Sequence, residues 1–317
     1  MKGPGMTSPP RSMLFLMLLL VAGGTAGRAW AADTPQATSL FGQPLYTPAP
    51  SPEALAKYQA AKDDYEADSG NADKLIWYGR RAAYAGRFDE AIRIYSVGVR
   101  KFPQDARILR HRGHRYITTR QFDKAIADFE KAYGLIAGKK DEIEPDGAPN
   151  ARNIPLTTLG SNIRYHLGLA YYLKHDWKKA LRFYGEEIRL ADNDDRRIAA
   201  DYWYYQILRR MGDDKKAAAF LKTVPEKPDL IENETYWRAL RLDKGEITEA
   251  EATKDGAKDP AGVAVAYGAA NYHLIRGDKS GAFQRLNAIV DDTAGWAGFG
   301  YIAAESDLAF YKARATK

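Results

Sequence analysis

The chain has 317 residues, enough for two ordinary domains or one long repeat array, and its 45% hydrophobic and 28% charged content fits a folded globular protein. It contains no cysteine, which excludes disulfide scaffolds, thiolate zinc sites, cysteine nucleophiles and lipid-modified N-terminal cysteines. The formal net charge of +6 falls to +3 without residues 1–31, which hold three basic residues and no acid, so the basic balance is weak support for a nucleic-acid partner.

Residues 1–31 have the pattern of a secretory signal peptide. Lys2 and Arg11 give a positive start, residues 13–22 are an unbroken apolar run, and Ala29 and Ala31 occupy the two small-residue positions that a signal peptidase reads. An uncleaved membrane anchor is the alternative, but such a run spans only about 15 Å as a helix, roughly half a hydrocarbon core. We therefore expect cleavage near Ala31 and a periplasmic or secreted protein.

The rest of the chain divides into a linker and a helical domain. Residues 32–52 hold five prolines among small and polar residues, which predicts an extended, proline-rich linker. From residue 53 to residue 317, helical patterns alternate with short polar turns, and no segment shows the sustained two-residue alternation of a strand. This region is predicted to be all-α.

One short signature recurs six times in the helical region. A turn residue is followed by polar residues and then by an alanine that begins an apolar helical pattern. The alanines are 34, 55, 37, 33 and 32 residues apart, and the spacing of 55 is explained by a 21-residue insertion in a 34-residue repeat. The instances are Gly86–Ala91, Arg120–Ala125, His175–Ala180, Gly212–Ala217, Gly245–Ala250 and Gly277–Ala282.

The residues around the first three signatures resemble tetratricopeptide repeats (TPR). A glycine (Gly79, Gly113, Gly168) precedes each alanine by twelve residues, and an aromatic residue (Tyr95, Phe129, Tyr184) follows it by four. The later copies are degenerate. The resemblance implies an all-α, right-handed superhelical array of antiparallel helix pairs, a TPR-like α-solenoid. Its repeats would lie at about 72–105, 106–139, 161–194, 198–231, 231–262 and 263–296, with a C-terminal capping helix at 296–314.

The resemblance also implies a function. In this family the first helices of the pairs line a concave groove that binds protein or peptide, so the chain is expected to be a non-catalytic binding scaffold in the bacterial envelope. Residues 73–134 contain fourteen Lys or Arg against seven acids, which favours an acidic partner, although solvated helix faces are the alternative interpretation. The groove residues that the resemblance implies are Arg80, Tyr84, Arg107, Arg110, His114, Asn162, Tyr165 and Tyr202.

The insertion, at about 140–160, is the second candidate feature. Its prolines and glycine forbid a regular helix, and long loops in compact arrays are either functional or merely tolerated. Asn150, Arg152 and Asn153 form a hydrogen-bonding set that could order against the groove, which adds them to the predicted partner-binding residues. No catalytic motif, cofactor motif or metal-ligand set stands out, so none is predicted.

Two other functions compete with groove binding. The chain could be a subunit of an envelope assembly that binds through convex or edge helix faces. It could also be an accessory hydrolase of cell-wall or peptide substrates with its site in the insertion. The hydrolase hypothesis requires an enclosed polar pocket around Asn150 to Asn153.

Overall fold

The computed structural model describes residues 34–147, 149–254, 256 and 260–315, together with residues 1 and 3. The predicted signal peptide and its cleavage site therefore lie almost wholly outside the described residues. Everything below concerns the compact unit that spans residues 32–317. Among the helices of the described residues, none is both long and apolar enough to cross a membrane.

The described residues are all-α apart from a short β-ribbon, one isolated β-bridge and a one-turn 3-10 helix at Thr293–Gly295. Strands β1 (Ala37–Thr38) and β2 (Pro44–Leu45) pair antiparallel. The helices that follow, α1 to α14 in chain order, are Pro52–Ala67, Ala72–Tyr84, Phe88–Lys101, Ala106–Thr118, Phe122–Ile136, Leu159–Leu173, Trp177–Leu190, Asp194–Arg210, Asp214–Leu221, Glu234–Lys244, Glu249–Ala252, Pro260–Leu274, Lys279–Asp291 and Phe299–Ala315.

Helices α2 to α13 form successive pairs, and in the first three pairs a glycine lies against an aromatic ring. A Cβ placed on Gly113 of α4 would lie 2.8 Å from Cε2 of Phe129 in α5, and one on Gly168 of α6 would lie 2.9 Å from Cε2 of Tyr184 in α7. Gly79 meets the ring of Tyr95 in the same way. Because only glycine permits this approach, the packing confirms the predicted all-α array of TPR-type helix pairs.

The first residue of every signature turn has a left-handed backbone conformation. Four of these six residues are glycines, which adopt positive φ at little cost. The other two are Arg120 (φ 62°) and His175 (φ 58°). A non-glycine residue in this region is uncommon, so its side chain must make interactions that compensate for the backbone conformation.

Both of these side chains reach the last helix, α14. Arg120 makes a buried ion pair with Glu305, at 2.6 Å between Nη2 and Oε2. The Nε2 atom of His175 lies 3.0 Å from Oδ1 of Asp307, and its ring stacks on Phe310. The last helix is therefore not only a cap on the final repeat, as the sequence analysis expected, because it also contacts the second and third pairs.

Close backbone contact fixes α14 against α12. A Cβ on Gly300 would lie 2.8 Å from the Cα atom of Ala264. Tyr267 of α12 donates to Asp307, and its hydroxyl also lies 2.7 Å from that of Tyr172 in α6. The sixth pair is thus tied to the third, and α14 completes the interior between them.

Residues 34–50 differ from the predicted extended linker. Leu45 is buried, the backbone N–H of Leu40 donates to Glu305, and the carbonyl oxygen of Tyr46 accepts from Nε1 of Trp296 at 2.6 Å. The prolines favour an extended backbone as expected, but hydrogen bonds to the C-terminal region hold this segment on the array.

A buried carboxyl in α10 gives the fold a testable pH dependence. Asp243 accepts from Gln206 and Arg276, yet burial outweighs the attraction of Arg276 and raises the pKa of Asp243 to about 7. The carboxyl of Asp243 therefore holds its proton more tightly in the folded state than in the unfolded chain, where its pKa is about 3.9. As pH rises between about 4 and 7, the contribution of this carboxyl to the free energy of unfolding falls.

We expect Asp243→Asn, which cannot ionise, to become more stable relative to the natural protein as pH rises from about 4 to 8. Urea unfolding followed by circular dichroism at both pH values measures this difference. A stability difference that is the same at the two pH values would contradict the raised pKa.

Candidate functional site

The predicted insertion forms a loop that covers the basic side of the first three pairs. This α5–α6 loop, residues 137–158, begins and ends in a short antiparallel stem. Its hydrogen bonds run from Glu144 N to the oxygen of Thr157 and from Leu159 N to the oxygen of Glu142, with a bridge between Ile143 and Thr158. The stem directs the rest of the loop across α2, α4 and α6.

Two arginines of α2 hold the backbone of this loop. Arg80 donates through Nη1 to the carbonyl oxygen of Pro145 at 2.7 Å, and Arg81 donates through Nη1 to that of Gly147 at 3.1 Å. Both guanidinium groups also lie over the ring of Trp77, at 4.5 and 5.0 Å from its centroid. Because the contacts are to main-chain oxygens, they recognise an extended backbone whatever its side chains.

The carboxylate of Glu144 lies against α4 and α6. Its Oε2 atom accepts from Nδ2 of Asn162 at 3.1 Å and lies 3.0 Å from Nε of Arg110, although that pair lacks the alignment of a hydrogen bond. Its Oε1 atom is 3.8 Å from Nε2 of His111. Only 11% of the Glu144 side chain is exposed, so the surface encloses this carboxylate almost completely.

We call the surface that carries Arg80, Arg81, Arg110 and Arg115 the basic face. The side chain of Arg115 makes no hydrogen bond or ion pair within the described residues, and its guanidinium lies over the ring of Phe88. Burial lowers the pKa of Arg115 to about 10, and Arg110 adds to this effect. Arg115 is still charged at neutral pH, and a nearby anion would stabilise its charged form.

The histidines beside the basic face carry no charge at neutral pH. Burial, followed by repulsion from Arg110, lowers the pKa of His111 well below its ordinary value and that of His166 to about 3. Burial and Arg115 lower the pKa of His114 in the same direction. The positive potential of this face therefore comes from its arginines.

Two of the cavities that border the loop include Arg80 or Asn162 in their lining. One, of about 290 Å³, is lined by Trp77, Arg80 and His111 together with loop residues 142–145. The other, of about 250 Å³, is lined by Asn162, Tyr165 and the first residue of α14, Phe299. The structure thus brings Arg80, Arg110 and Asn162 together under the loop and leaves recesses beside it.

The remaining predicted groove residues are less accessible than expected. Tyr202 is fully buried, so its predicted place on an open groove is wrong. Arg107 pairs with Asp73 and Asp105 of its own array. His114 stacks with His166 and Phe299, and the hydroxyl of Tyr165 bonds to Tyr236 and Trp203. Tyr84 alone of this set is well exposed, at 50%.

The polar residues of the loop do not form a pocket. Asn150 folds back on its own loop, where its side chain accepts from the backbone of Arg152 and Ile154. Arg152 makes a two-pronged ion pair with Asp229 on the surface, and Asn153 is exposed. The enclosed polar pocket that the hydrolase hypothesis requires is therefore not formed around these residues.

Sequence reasoning missed several residues of the basic face. Arg81, Arg115 and Glu144 were not among the candidates. Arg81 and Arg115 lie outside the groove positions that the TPR resemblance implies. The excess of basic over acidic residues in 73–134 was the available signal. That excess does not identify which arginines face the loop.

Comparisons with known proteins show similarity of fold only. No family model matches the chain, and a search of curated proteins finds no match. Among solved structures, YrrB, described as a TPR protein with an unusual peptide-binding site, is 15% identical, with a TM-score of 0.42 over 81% of this chain and 99% of that chain. A tetratricopeptide repeat protein from Parabacteroides merdae is 13% identical, with a TM-score of 0.45 over 81% of this chain and 93% of that chain.

A third solved structure, Naa15/Naa10 bound to HypK-THB, is 16% identical, with a TM-score of 0.37 over 84% of this chain and 40% of that chain. With all three TM-scores below 0.5, these likenesses carry no argument about the function of this chain. The fold rests on the chain's own helix pairs and their glycine–aromatic contacts.

Proposed function

We propose that this chain is a non-catalytic, protein-binding scaffold that holds an acidic, extended segment of a partner on its basic face. The observation that supports the proposal is the α5–α6 loop itself. Its segment Glu144-Pro145-Asp146-Gly147 is acidic, gives two carbonyl oxygens to Arg80 and Arg81, and places one carboxylate between Arg110 and Asn162. A surface that binds such a segment from its own chain has the donors to bind one from another protein.

The basic face also has unused binding capacity beside the loop. Arg115 forms no ion pair within the described residues, Tyr84 exposes half of its surface, and a cavity lies next to Arg80. A partner segment would contact Arg115 and Tyr84 first, and it could then replace the loop on Arg80 and Arg110. A location in the envelope is part of this proposal and is supported by the N-terminal sequence pattern alone.

Site-specific crosslinking tests the proposal in the cells that make the protein. With a photoreactive phenylalanine at Tyr84, we expect crosslinks to acidic, extended segments, identified by mass spectrometry. Arg115→Glu should lower the yield about tenfold, because it replaces attraction by repulsion. Arg100→Glu makes the same charge change on the exposed outer helix α3 and should have no effect.

A second crosslinking position separates groove binding from assembly through the outer faces. Val97 is 41% exposed on α3, the second helix of its pair. Capture of the same partner from Val97 and not from Tyr84, with no effect of Arg115→Glu, would contradict the proposal and favour an assembly subunit.

A further inference from the structure

A second cleft lies at the C-terminal end of the array and shares no residue with the basic face. Its volume is about 530 Å³, within the range of about 300–1,000 Å³ that is common for ligand sites. Four aromatic side chains line it: Trp177 at the start of α7, Phe283 of α13, and Phe310 and Tyr311 of α14. We call it the C-terminal cleft.

Three of the four aromatic rings of this cleft pack against one another, and the fourth, Trp177, packs against Tyr172 and His175. The rings of Phe283 and Tyr311 meet edge to face at 5.5 Å, and Phe310 meets Tyr311 at 5.4 Å. All four aromatic side chains are half-buried. Aromatic side chains fixed by their neighbours but open on one side are typical of surfaces that bind apolar groups of a partner.

Every charged residue among those that line the cleft is a cation. Lys279 and Arg314 are exposed, and Arg314 lies over the ring of Phe310 at 5.1 Å. The third is Arg210, whose side chain is only 5% exposed and is paired with Asp307. No carboxylate among the described lining residues balances Lys279 and Arg314.

Arg210 adds a donor that the fold does not use. Its two terminal nitrogens bond to Asp307, Tyr311 and Asn271, but its Nε atom is buried and has no acceptor in the described part of the chain. A buried donor without a partner destabilises the folded state. Because the neighbouring side chains cover this atom, the exposed cations Lys279 and Arg314 are the accessible partners for a ligand carboxylate.

We propose that the C-terminal cleft binds a segment of a second partner protein in which an aromatic or aliphatic side chain stands beside a carboxylate. The apolar side chain would pack among Trp177, Phe283 and Phe310. The carboxylate would lie between Lys279 and Arg314. Charge complementarity supports an acidic segment, and the mixture of Trp, Tyr, Phe and Arg is the composition enriched at protein interfaces. The scaffold would then hold two partners on separate surfaces.

The indole N–H signal of Trp177 in a nitrogen–proton correlation spectrum reports directly on this cleft, and Trp177→Phe assigns it. The probe is the synthetic peptide Asp-Glu-Phe-Asp-Phe-Glu, and its control is the uncharged peptide Asn-Gln-Phe-Asn-Phe-Gln. Titration of the acidic peptide should move the Trp177 signal and leave that of the buried Trp203 in place. The uncharged peptide should bind at least about tenfold more weakly.

Two double variants with equal changes in net charge complete the test. Lys279→Glu with Arg314→Glu should raise the dissociation constant about tenfold or more, whereas Lys215→Glu with Lys222→Glu, on exposed positions of α9 and its end, should leave it unchanged. A Trp177 signal that does not move, equal binding of both peptides, or a response only to phosphatidylglycerol vesicles would overturn the proposal. The Trp177 signal reports only on the C-terminal cleft, whereas crosslinking from Tyr84 reports on the basic face. A negative result for the cleft is therefore distinguishable from a negative result for the proposed function.

Discussion

Replacing Arg120 by methionine is expected to lower the free energy of unfolding by about 3–5 kcal/mol. Arg120 donates through Nε and Nη2 to Glu305, and both side chains are at least 98% buried. Methionine removes the cation and leaves the Glu305 carboxylate buried without its counter-charge. The variant also keeps the left-handed backbone at position 120 while losing the interactions that compensate for it.

Urea unfolding followed by circular dichroism measures this loss. Arg100→Met, on an exposed position, is the matched control and should stay within about 0.5 kcal/mol of the natural protein. Adding Glu305→Leu to Arg120→Met should recover much of the lost stability, because no unpaired charge then stays buried. A loss below about 1 kcal/mol for Arg120→Met would contradict the proposed role of this ion pair.

Asp307→Asn is expected to lower the free energy of unfolding by a similar amount, about 3–5 kcal/mol, because here a buried cation loses its counter-charge. Burial opposes the ionisation of Asp307, but Arg210 and His175 outweigh it, so the pKa of Asp307 lies below its ordinary value. Its Oδ2 atom accepts from Arg210 at 2.6 Å and from the hydroxyl of Tyr267 at 2.8 Å. Asparagine keeps the shape but leaves the guanidinium of Arg210, 5% exposed, without a counter-charge.

The same unfolding experiment applies, with Asp123→Asn as control. Asp123 pairs with Lys174 on the surface, and 81% of its side chain is exposed, so its loss should change stability by at most about 0.5 kcal/mol. Equal losses of stability for Asp307→Asn and Asp123→Asn would contradict the prediction that the buried contacts of α14 stabilise the fold.

The repeat array could be predicted because its determinants are local in sequence. Gly79 and Tyr95 are 16 residues apart, as are Gly113 and Phe129, and each such pair lies within one helix hairpin. A regular spacing of small and aromatic residues therefore reports on packing that the two helices of one repeat make with each other.

The position of α14 could not be predicted from the same pattern. Arg120 and Glu305 are separated by 185 residues, and no periodicity connects them. A weaker signal was present: Arg120 and His175 stand where the other four signatures have glycine. A left-handed turn without glycine has to be compensated elsewhere, and these two side chains bind α14.

The basic face was predicted in part. Arg80 and Arg110 were placed on the groove from their repeat positions, but nothing in the loop sequence shows that Glu144 returns to them. Tyr202 was misplaced because α8 is buried on most of its surface, with neighbouring residues such as Trp203 and Tyr205 also buried. Helical periodicity distinguishes a groove face from a core face only when one side of the helix meets water.

Shortening the α5–α6 loop tests the central claim, that the basic face is a binding site for acidic, extended segments and is now covered by the chain's own loop. Residues 145–156 are replaced by Asn-Gly, the two-residue turn that suits a hairpin closed by Glu144 and Thr157. The probe is the synthetic peptide Glu-Pro-Asp-Gly-Glu-Pro-Asp-Gly, and its affinity is measured by isothermal titration calorimetry.

We expect the shortened protein to bind this peptide at least about tenfold more tightly than the full chain does, and Arg115→Glu in the shortened protein to remove that gain. Circular dichroism should show that the helices are retained. Equal affinities of the shortened and full chains, or no binding to either, would contradict the claim.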